Sequence, residues 1–168
     1  APAFREVRIA AIGDGLWNSV YSVISLAGFV LIVWGWSSAR DVAGLAYIPI
    51  TGAKLITHLA MLIALVLIIA SQVPSGYIKR MVGHPMMVGV LVWSASHLLV
   101  NGDWASVLLF GSFLVWAVVG LVSMYRRPVG DAVAPRPLFD VVSVVVGLCT
   151  YLALVSVVHL YLFGVSPL

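Results

Sequence analysis

The sequence predicts an all-α integral membrane protein, a bundle of five transmembrane helices forming one domain over residues 1–168. Hydrophobic residues make up 62% of the chain and charged residues only 9%, and the mean hydropathy is +1.13, far outside the range of soluble domains. The apolar residues fall into long runs separated by the charged residues. Because backbone amides in lipid need internal partners, and these runs are too long for barrel strands, we expect helices.

Five apolar runs mark the predicted spans, each close to the ~20 residues that cross about 30 Å of hydrocarbon. They cover residues 16–36, 55–73, 85–100, 104–124 and 139–163. The third run is roughly 24 Å long at ~1.5 Å per residue, so we expect His84 and Asn101 as its interfacial ends, or local thinning of the bilayer. Asp103 precedes the fourth run and is a candidate N-cap. The small residues Gly28, Gly35, Gly89 and Ser94 favour close helix packing.

The basic residues between the runs predict the orientation of the chain. Five crossings place on one side the cations Arg5, Arg8, Lys79, Arg80, Arg126, Arg127 and Arg136, whereas the other side holds Arg40 and Lys54. Cytoplasmic segments carry the excess of Lys and Arg, so the N-terminus is predicted to be cytoplasmic and the C-terminus to lie outside. The net charge of +3 therefore concerns membrane orientation, and we expect the lipid bilayer and no nucleic acid as a partner.

The four histidines lie near the ends of these runs. In the predicted topology His58, His97 and His159 each lie about one turn below the outer surface, whereas His84 lies at the cytoplasmic entrance of the third run. His84 and His97 are thirteen residues apart, about 20 Å along a helix axis, so they cannot bind the same small ion or haem iron. Ionisable side chains inside a span usually face the bundle interior. The three outer imidazoles therefore predict a shared polar site.

Two interpretations of the outer histidines are open. In the first, two neutral imidazoles from different helices coordinate a haem iron across the bundle core. The candidate iron ligands are His97, His159 and His58, and the further candidate cofactor-binding residues are Trp93, Asn101 and His84. In the second, each histidine hydrogen-bonds a neighbouring helix or lies at the headgroup boundary. The spans contain no sequence pattern typical of hydrolases or metallopeptidases, and the single cysteine, Cys149, excludes a Cys-x-x-Cys site.

The middle of the sequence holds a series of short motifs in a fixed order. This central block contains Tyr77-Ile78-Lys79-Arg80, Gly83-His84-Pro85, Ser94-Ala95-Ser96-His97-Leu98 and Asn101-Gly102-Asp103. Together with the run 21–28 and the ending 159–168, the block resembles the NnrU family of bacterial membrane proteins, and the resemblance covers nearly the whole chain. Its central block is specific because the His-Pro, His-Leu and Asn-Gly-Asp elements stand in fixed register.

The resemblance implies a multi-pass protein of the bacterial inner membrane that binds haem b and has an accessory or redox role in denitrification, linked to nitrite and nitric oxide reduction. It also implies kinship with the plastid 15-cis-zeta-carotene isomerase, a haem b enzyme. A haem-dependent cis–trans isomerase of zeta-carotene or a related polyene is therefore an alternative. A third possibility is a non-catalytic subunit that packs in a larger membrane complex or homo-oligomer and binds lipid, carotenoid or another apolar ligand.

Carried over by position, His97 matches the candidate haem ligand of the family's His-Leu motif, and His84 matches the His-Pro histidine. The family usually has a further N-terminal helix with another histidine, and that helix is absent from this sequence. We therefore expect haem ligation to rest on the three outer histidines or on a partner. The isomerase is thought to use a cysteine near its His-Leu motif, where this chain has Ser94, so ligand exchange through a thiolate is not expected.

Overall fold

The computed structural model describes residues 13–126 and 134–167, and these residues form helices and no strand. The helices are α1 (Asp14–Ala39), α2 (Lys54–Gln72), α3 (Tyr77–Val82), α4 (Pro85–Val100), α5 (Trp104–Tyr125) and α6 (Pro137–Ala153). A π-helical turn, Leu154–Val158, follows α6 and leads into α7 (His159–Phe163). The predicted all-α class is confirmed.

Within residues 13–126 and 134–167, four helical stretches are long and apolar enough to cross a membrane. They are α1, α2, α5 and the continuous 27-residue stretch Pro137–Phe163. Helix α4 is also apolar but has only 16 residues. Its bounds are those of the third predicted run. The other four predicted runs correspond to α1, α2, α5 and the stretch Pro137–Phe163, whose ends lie within about three residues of the predicted ones. A multi-pass helical architecture is therefore shown, and a complete crossing by α4 stays a prediction.

The chain divides into two compact units, residues 1–38 and 39–168. The first unit contains most of α1, whose apolar residues occur on every side of the helix. Such an all-round apolar helix is typical of a segment surrounded by lipid. In the second unit α2 and α4 pack against each other at the centre, α5 packs on α4, and α6 packs on α2.

Small residues allow the close approach of these helices. A Cβ added at Gly89 of α4 would lie 3.0 Å from the carbonyl oxygen of Ala64 in α2, and one added at Gly147 of α6 would lie 2.9 Å from the Cα of Val66. Ser94 is fully buried and donates its hydroxyl hydrogen to a carbonyl of the preceding turn. The predicted packing role of Gly89 is confirmed, and α2 is held closely between its two neighbours. For Gly28 and Gly35 of α1 the prediction finds no support, since no described atom outside α1 lies within 4 Å of a Cβ added at either position.

The connection between α4 and α5 is a tight turn with a capped helix start. The Asp103 carboxylate accepts a hydrogen bond of 2.8 Å from the backbone amide of Ser106, in the first turn of α5. A carboxylate here satisfies an otherwise unpaired amide and interacts favourably with the positive end of the helix dipole. The prediction that Asp103 is an N-cap is confirmed.

The two ends of the second unit differ in charge. We call the end formed by α3, the start of α4, the end of α5 and the start of α6 the arginine end, because it holds Lys79, Arg80, Arg126 and Arg136. The other cations assigned to this side, Arg5, Arg8 and Arg127, lie outside the described residues. The placement of this end in the cytoplasm stays a prediction.

Candidate functional site

The opposite end of the second unit, formed by the start of α2, the end of α4 and α7, holds three of the four histidines. We call it the histidine end. The hydroxyl of Thr57 in α2 donates a hydrogen bond of 3.1 Å to the carbonyl of Ser96 in α4. His58 and His97 directly follow these two residues, so they lie at the same level of neighbouring antiparallel helices.

His97 lies in the last turn of α4 and is half-buried. Its Nδ1 is 2.9 Å from the carbonyl oxygen of Trp93, and because a carbonyl can only accept, Nδ1 carries the hydrogen. The ring stacks on Phe110 of α5 with centroids 4.5 Å apart and planes 29° apart. The neutral ring therefore keeps a lone pair on Nε2, which forms no hydrogen bond with any described residue.

His159 is held in a matching way. Its backbone amide donates to the carbonyl of Leu154, five residues back, which closes the π-helical turn before α7. Such a turn rotates the following side chains around the axis relative to an uninterrupted α-helix, and π-turns are frequent at functional sites. Gly164, with φ of +67°, then reverses the chain so that Nδ1 of His159 donates 2.8 Å to the carbonyl of Val165. Nε2 again keeps its lone pair, without a partner among the described residues.

His97 and His159 stand at the same end of the bundle. The segment after Gly164 bonds His159 through Val165 and bonds His58, which lies at the level of His97, through Pro167. His97 and His159 come from helices that are separated in the chain by α5 and α6. The pair therefore presents two imidazoles whose Nε2 atoms bond no described residue, from two different segments at one end of the bundle.

His58 differs from this pair because both of its nitrogens are engaged. Nε2 lies 3.2 Å from the carbonyl oxygen of Pro167, so it carries the hydrogen, and Nδ1 accepts a hydrogen bond of 2.9 Å from the hydroxyl of Tyr151. The Tyr151 ring stands at 90° to the imidazole. In this arrangement His58 has no lone pair left for a metal ion.

His84 lies apart from the other histidines. It is the N-cap residue of α4, whereas His97 lies in the last turn of that helix, so the two stand at opposite ends of 16 residues. Its ring packs edge-on against Tyr125 with centroids 5.0 Å apart, and the Tyr125 hydroxyl donates to the carbonyl of Val82. The prediction that His84 and His97 cannot share one small ligand is confirmed.

The two remaining candidates, Trp93 and Asn101, both contact His97. Trp93 packs against the His97 ring and against Phe110, with centroids 5.3 Å and 5.1 Å away. The Asn101 side-chain amide donates 2.9 Å to the carbonyl of His97 and so caps the last turn of α4. Trp93 thus forms one wall around the imidazole, and Asn101 holds the helix end on which the imidazole stands.

Sequence reasoning missed the contribution of the 40–53 connection. The Tyr47 hydroxyl lies against the carbonyls of Leu98 and Asn101, the latter at 2.8 Å, and shares its one hydrogen between them. The backbone amide of Ile50 donates 3.0 Å to the carbonyl of Leu99. These donors satisfy carbonyls that the end of α4 would otherwise leave unpaired. Only a glycine fits at position 102, where a Cβ would overlap the Tyr47 carbonyl. A lone tyrosine in a connection gave no sequence signal for this role.

The environment of Tyr47 also alters its acidity. Burial, and to a smaller extent the negative charge of Asp103, raise the pKa of Tyr47 above its ordinary value of 10.0. Both effects disfavour the phenolate, so the hydroxyl remains a hydrogen-bond donor at neutral pH. The connection is thereby held on α4 by a stable donor.

The candidate metal donors at the histidine end are imidazole nitrogens. Haem iron takes one or two ligands from protein, and imidazole is a common one. Within residues 13–126 and 134–167, no group of three or more His, Cys, Asp or Glu side chains is placed to hold a metal ion. Cys149 is exposed on α6, and Ser94 is buried and bonded within α4.

A family model described as NnrU protein matches residues 1–167 and thus includes every histidine of the chain. No curated protein and no solved structure matches the sequence.

Proposed function

Because the chain belongs to the NnrU family, we propose that it is a haem-b-binding integral membrane protein with an accessory or redox role in nitrite and nitric oxide reduction. The observation that carries the proposal is the matched state of His97 and His159. Each donates its Nδ1 hydrogen to a backbone carbonyl, at 2.9 Å and 2.8 Å respectively. The redox role and the link to denitrification follow from what the family resemblance implies.

The hydrogen bonds on Nδ1 are those expected of metal-binding imidazoles. A ligating histidine usually donates its second ring hydrogen to a carbonyl or carboxylate, which fixes the tautomer and the ring orientation. His97 and His159 already have this tautomer, whereas His58 has the opposite one and uses its lone pair on Tyr151. We therefore propose that His97 and His159 would hold the haem iron, and we give His58 a structural role.

The residues around His97 would supply the surroundings of such a site. When bound, haem iron supplies one-electron redox chemistry. Phe110 and Trp93 keep water from one side of the His97 ring, and Asn101 fixes the carbonyl end of its helix. An apolar, hydrogen-bonded environment of this kind is one of the means by which a protein sets the potential of a haem.

The proposal includes the membrane placement of the chain. We propose five crossings of the bacterial inner membrane, with the arginine end cytoplasmic and the histidine end at the outer surface. Helix α4, with 16 residues, then spans roughly 24 Å at ~1.5 Å per residue and requires local thinning of the bilayer. Cysteine labelling at Met81 and Ile48, both highly exposed at opposite ends of the second unit, tests this orientation in intact cells.

The decisive experiment for the proposal is a haem spectrum. The protein is purified in detergent from haem-replete cells, and the Soret band and the pyridine haemochrome spectrum are recorded. We expect one b-type haem per chain. Apoprotein alone, which cannot be loaded with added haem, would instead support a non-catalytic subunit. If haem is present, conversion of cis-zeta-carotene under reducing conditions would replace the accessory role by the isomerase role.

A further inference from the structure

A groove at the arginine end has no part in the site described above. It has a volume of about 590 Å³ and is lined by Tyr77, Ile78, Arg80, Met81 and Asp140. All but Asp140 belong to α3, the short helix between the two central helices, and Asp140 lies in the first turn of α6. The groove therefore lies at the end of the bundle remote from His97 and His159.

The wall of the groove is fixed by a carboxylate clamp. The two Asp140 oxygens accept hydrogen bonds from the backbone amides of Tyr77 and Ile78, at 2.8 Å and 2.9 Å. Gly76 leaves the space for this clamp, because a Cβ there would overlap the Asp140 carboxylate. Both oxygens of Asp140 are thus engaged, and α3 is anchored on α6.

Arg80 is the cation that remains available in the groove. The neighbouring Lys79 ammonium donates to the carbonyls of Ser71 and Val73, at 3.0 Å and 2.9 Å, and so caps the end of α2. Arg80, in contrast, is exposed and forms no ion pair with another described residue. Arg136, whose backbone amide donates to the carbonyl of Ser75, adds a second exposed guanidinium nearby.

The other exposed residues of the groove are apolar or amphipathic. Tyr77 is 56% exposed and Met81 is 81% exposed. At the end of a membrane bundle these side chains lie at the level of the lipid headgroups, where tyrosine and arginine are favoured. An apolar surface beside an unpaired guanidinium complements a ligand with a hydrocarbon part and a phosphate, and arginine binds phosphate through two parallel hydrogen bonds.

We propose that this groove binds one anionic phospholipid. The phosphate lies on Arg80, and the glycerol and upper acyl chains lie along Tyr77 and Met81. The volume of about 590 Å³ is within the range of small-molecule sites and holds the polar half of such a lipid. The site rests on the membrane placement proposed above but not on haem, so it remains if the protein binds no haem.

The test compares two arginines of the same end. Arg80→Gln removes the guanidinium of the groove, whereas Arg126→Gln removes an exposed guanidinium that does not line it. Delipidated protein is titrated with phosphatidylglycerol or phosphatidylcholine in detergent, and bound lipid is counted by native mass spectrometry. We expect one saturable phosphatidylglycerol, with affinity reduced about tenfold in Arg80→Gln and unchanged in Arg126→Gln.

Two further measurements keep the result specific. Met81→Asn tests the apolar wall without changing charge and should also weaken binding, and a melting temperature at the parental value shows that a variant is folded. Three outcomes would each overturn the proposal. Equal loss of affinity in both arginine variants would indicate general charge attraction, and equal binding of phosphatidylcholine would show that the site does not select an anionic lipid. Displacement of the lipid by millimolar inorganic phosphate would indicate a site for free anions.

Discussion

Tyr151 of α6 donates its hydroxyl hydrogen to Nδ1 of His58 in α2 across 2.9 Å. The Pro167 carbonyl accepts the hydrogen of Nε2, so the lone pair of the His58 ring lies on Nδ1. The bond from Tyr151 occupies this lone pair. His97 and His159 carry their hydrogens on the other nitrogen. From the sequence His97 is the favoured ligand, and His58 and His159 are alternatives for the second position. Their hydrogen bonds now divide the three residues into a candidate ligand pair, His97 and His159, and a structural member, His58.

Tyr151→Phe should leave haem content near the parental value. It should lower the free energy of unfolding by about 0.5–1.5 kcal/mol, the usual net contribution of one hydrogen bond. Haem per protein and unfolding in detergent measure the two effects. Tyr161→Phe, at a position that is 84% exposed, is the matched control and should change neither. A loss of haem in Tyr151→Phe would contradict the structural role of His58.

His97→Ala should remove most of the haem, and His159→Ala should do the same if both are axial ligands. His84→Ala is the control, because His84 lies at the opposite end of α4 and packs on Tyr125. The ratio of Soret absorbance to protein measures occupancy, with a melting temperature to verify folding. Equal loss in the His97 and His84 variants, or loss in neither, would refute the assignment of the site to the histidine end.

The positions of the helices could be predicted because membrane solvation acts on each segment separately. Backbone bonds must close within each apolar run, so run length alone gave bounds such as those of α4 (Pro85–Val100). The N-cap role of Asp103 could also be predicted, because an N-cap residue bonds an amide only a few positions ahead of it in the chain. Helix α3 was missed because its six residues include two basic ones and resemble a connection.

The details of the histidine end could not be predicted because they depend on contacts between distant segments. Tautomers at His58 and His159 are set by carbonyls of the chain end, which folds back only after the turn at Gly164. The π-helical turn before His159 has no clear sequence signature, and Tyr47 reaches Asn101 from 54 residues away. The sequence could place the imidazoles at one depth, but it could not show which nitrogens are free.

Tyr47→Phe should make stability less sensitive to alkaline pH. The pKa of Tyr47 is raised in the folded protein, so the unfolded state loses this proton first, near pH 10.0. The stabilisation is complete below that pH and is lost as the pH rises through the folded pKa. Melting temperatures in detergent at about pH 9 and about pH 11 should therefore fall less in Tyr47→Phe than in the parent.

The phenylalanine variant should also start from a lower melting temperature, because it loses the hydroxyl hydrogen that the Leu98 and Asn101 carbonyls share. Tyr161→Phe again serves as the control, and its pH dependence should follow that of the parent. An equal alkaline loss in Tyr47→Phe and the parent would show that the Tyr47 hydroxyl does not contribute to the pH dependence.

Gly147→Ala should destabilise the bundle, because the added methyl would lie 2.9 Å from the Cα of Val66 and 3.1 Å from its backbone nitrogen. Backbone cannot rotate away as a side chain can, so α2 and α6 must separate, at a cost of about 1–3 kcal/mol.

Gly111→Ala in α5 is the matched control, since nothing lies within 4 Å of its added Cβ. There the better helix propensity of alanine should stabilise by about 0.5–1 kcal/mol. Unfolding of both variants in mixed detergent measures the difference, and the separation of α2 from α6 should also lengthen the Tyr151–His58 bond. Stability of Gly147→Ala at or above that of Gly111→Ala would mean that the two helices do not approach as closely as their glycine contact requires.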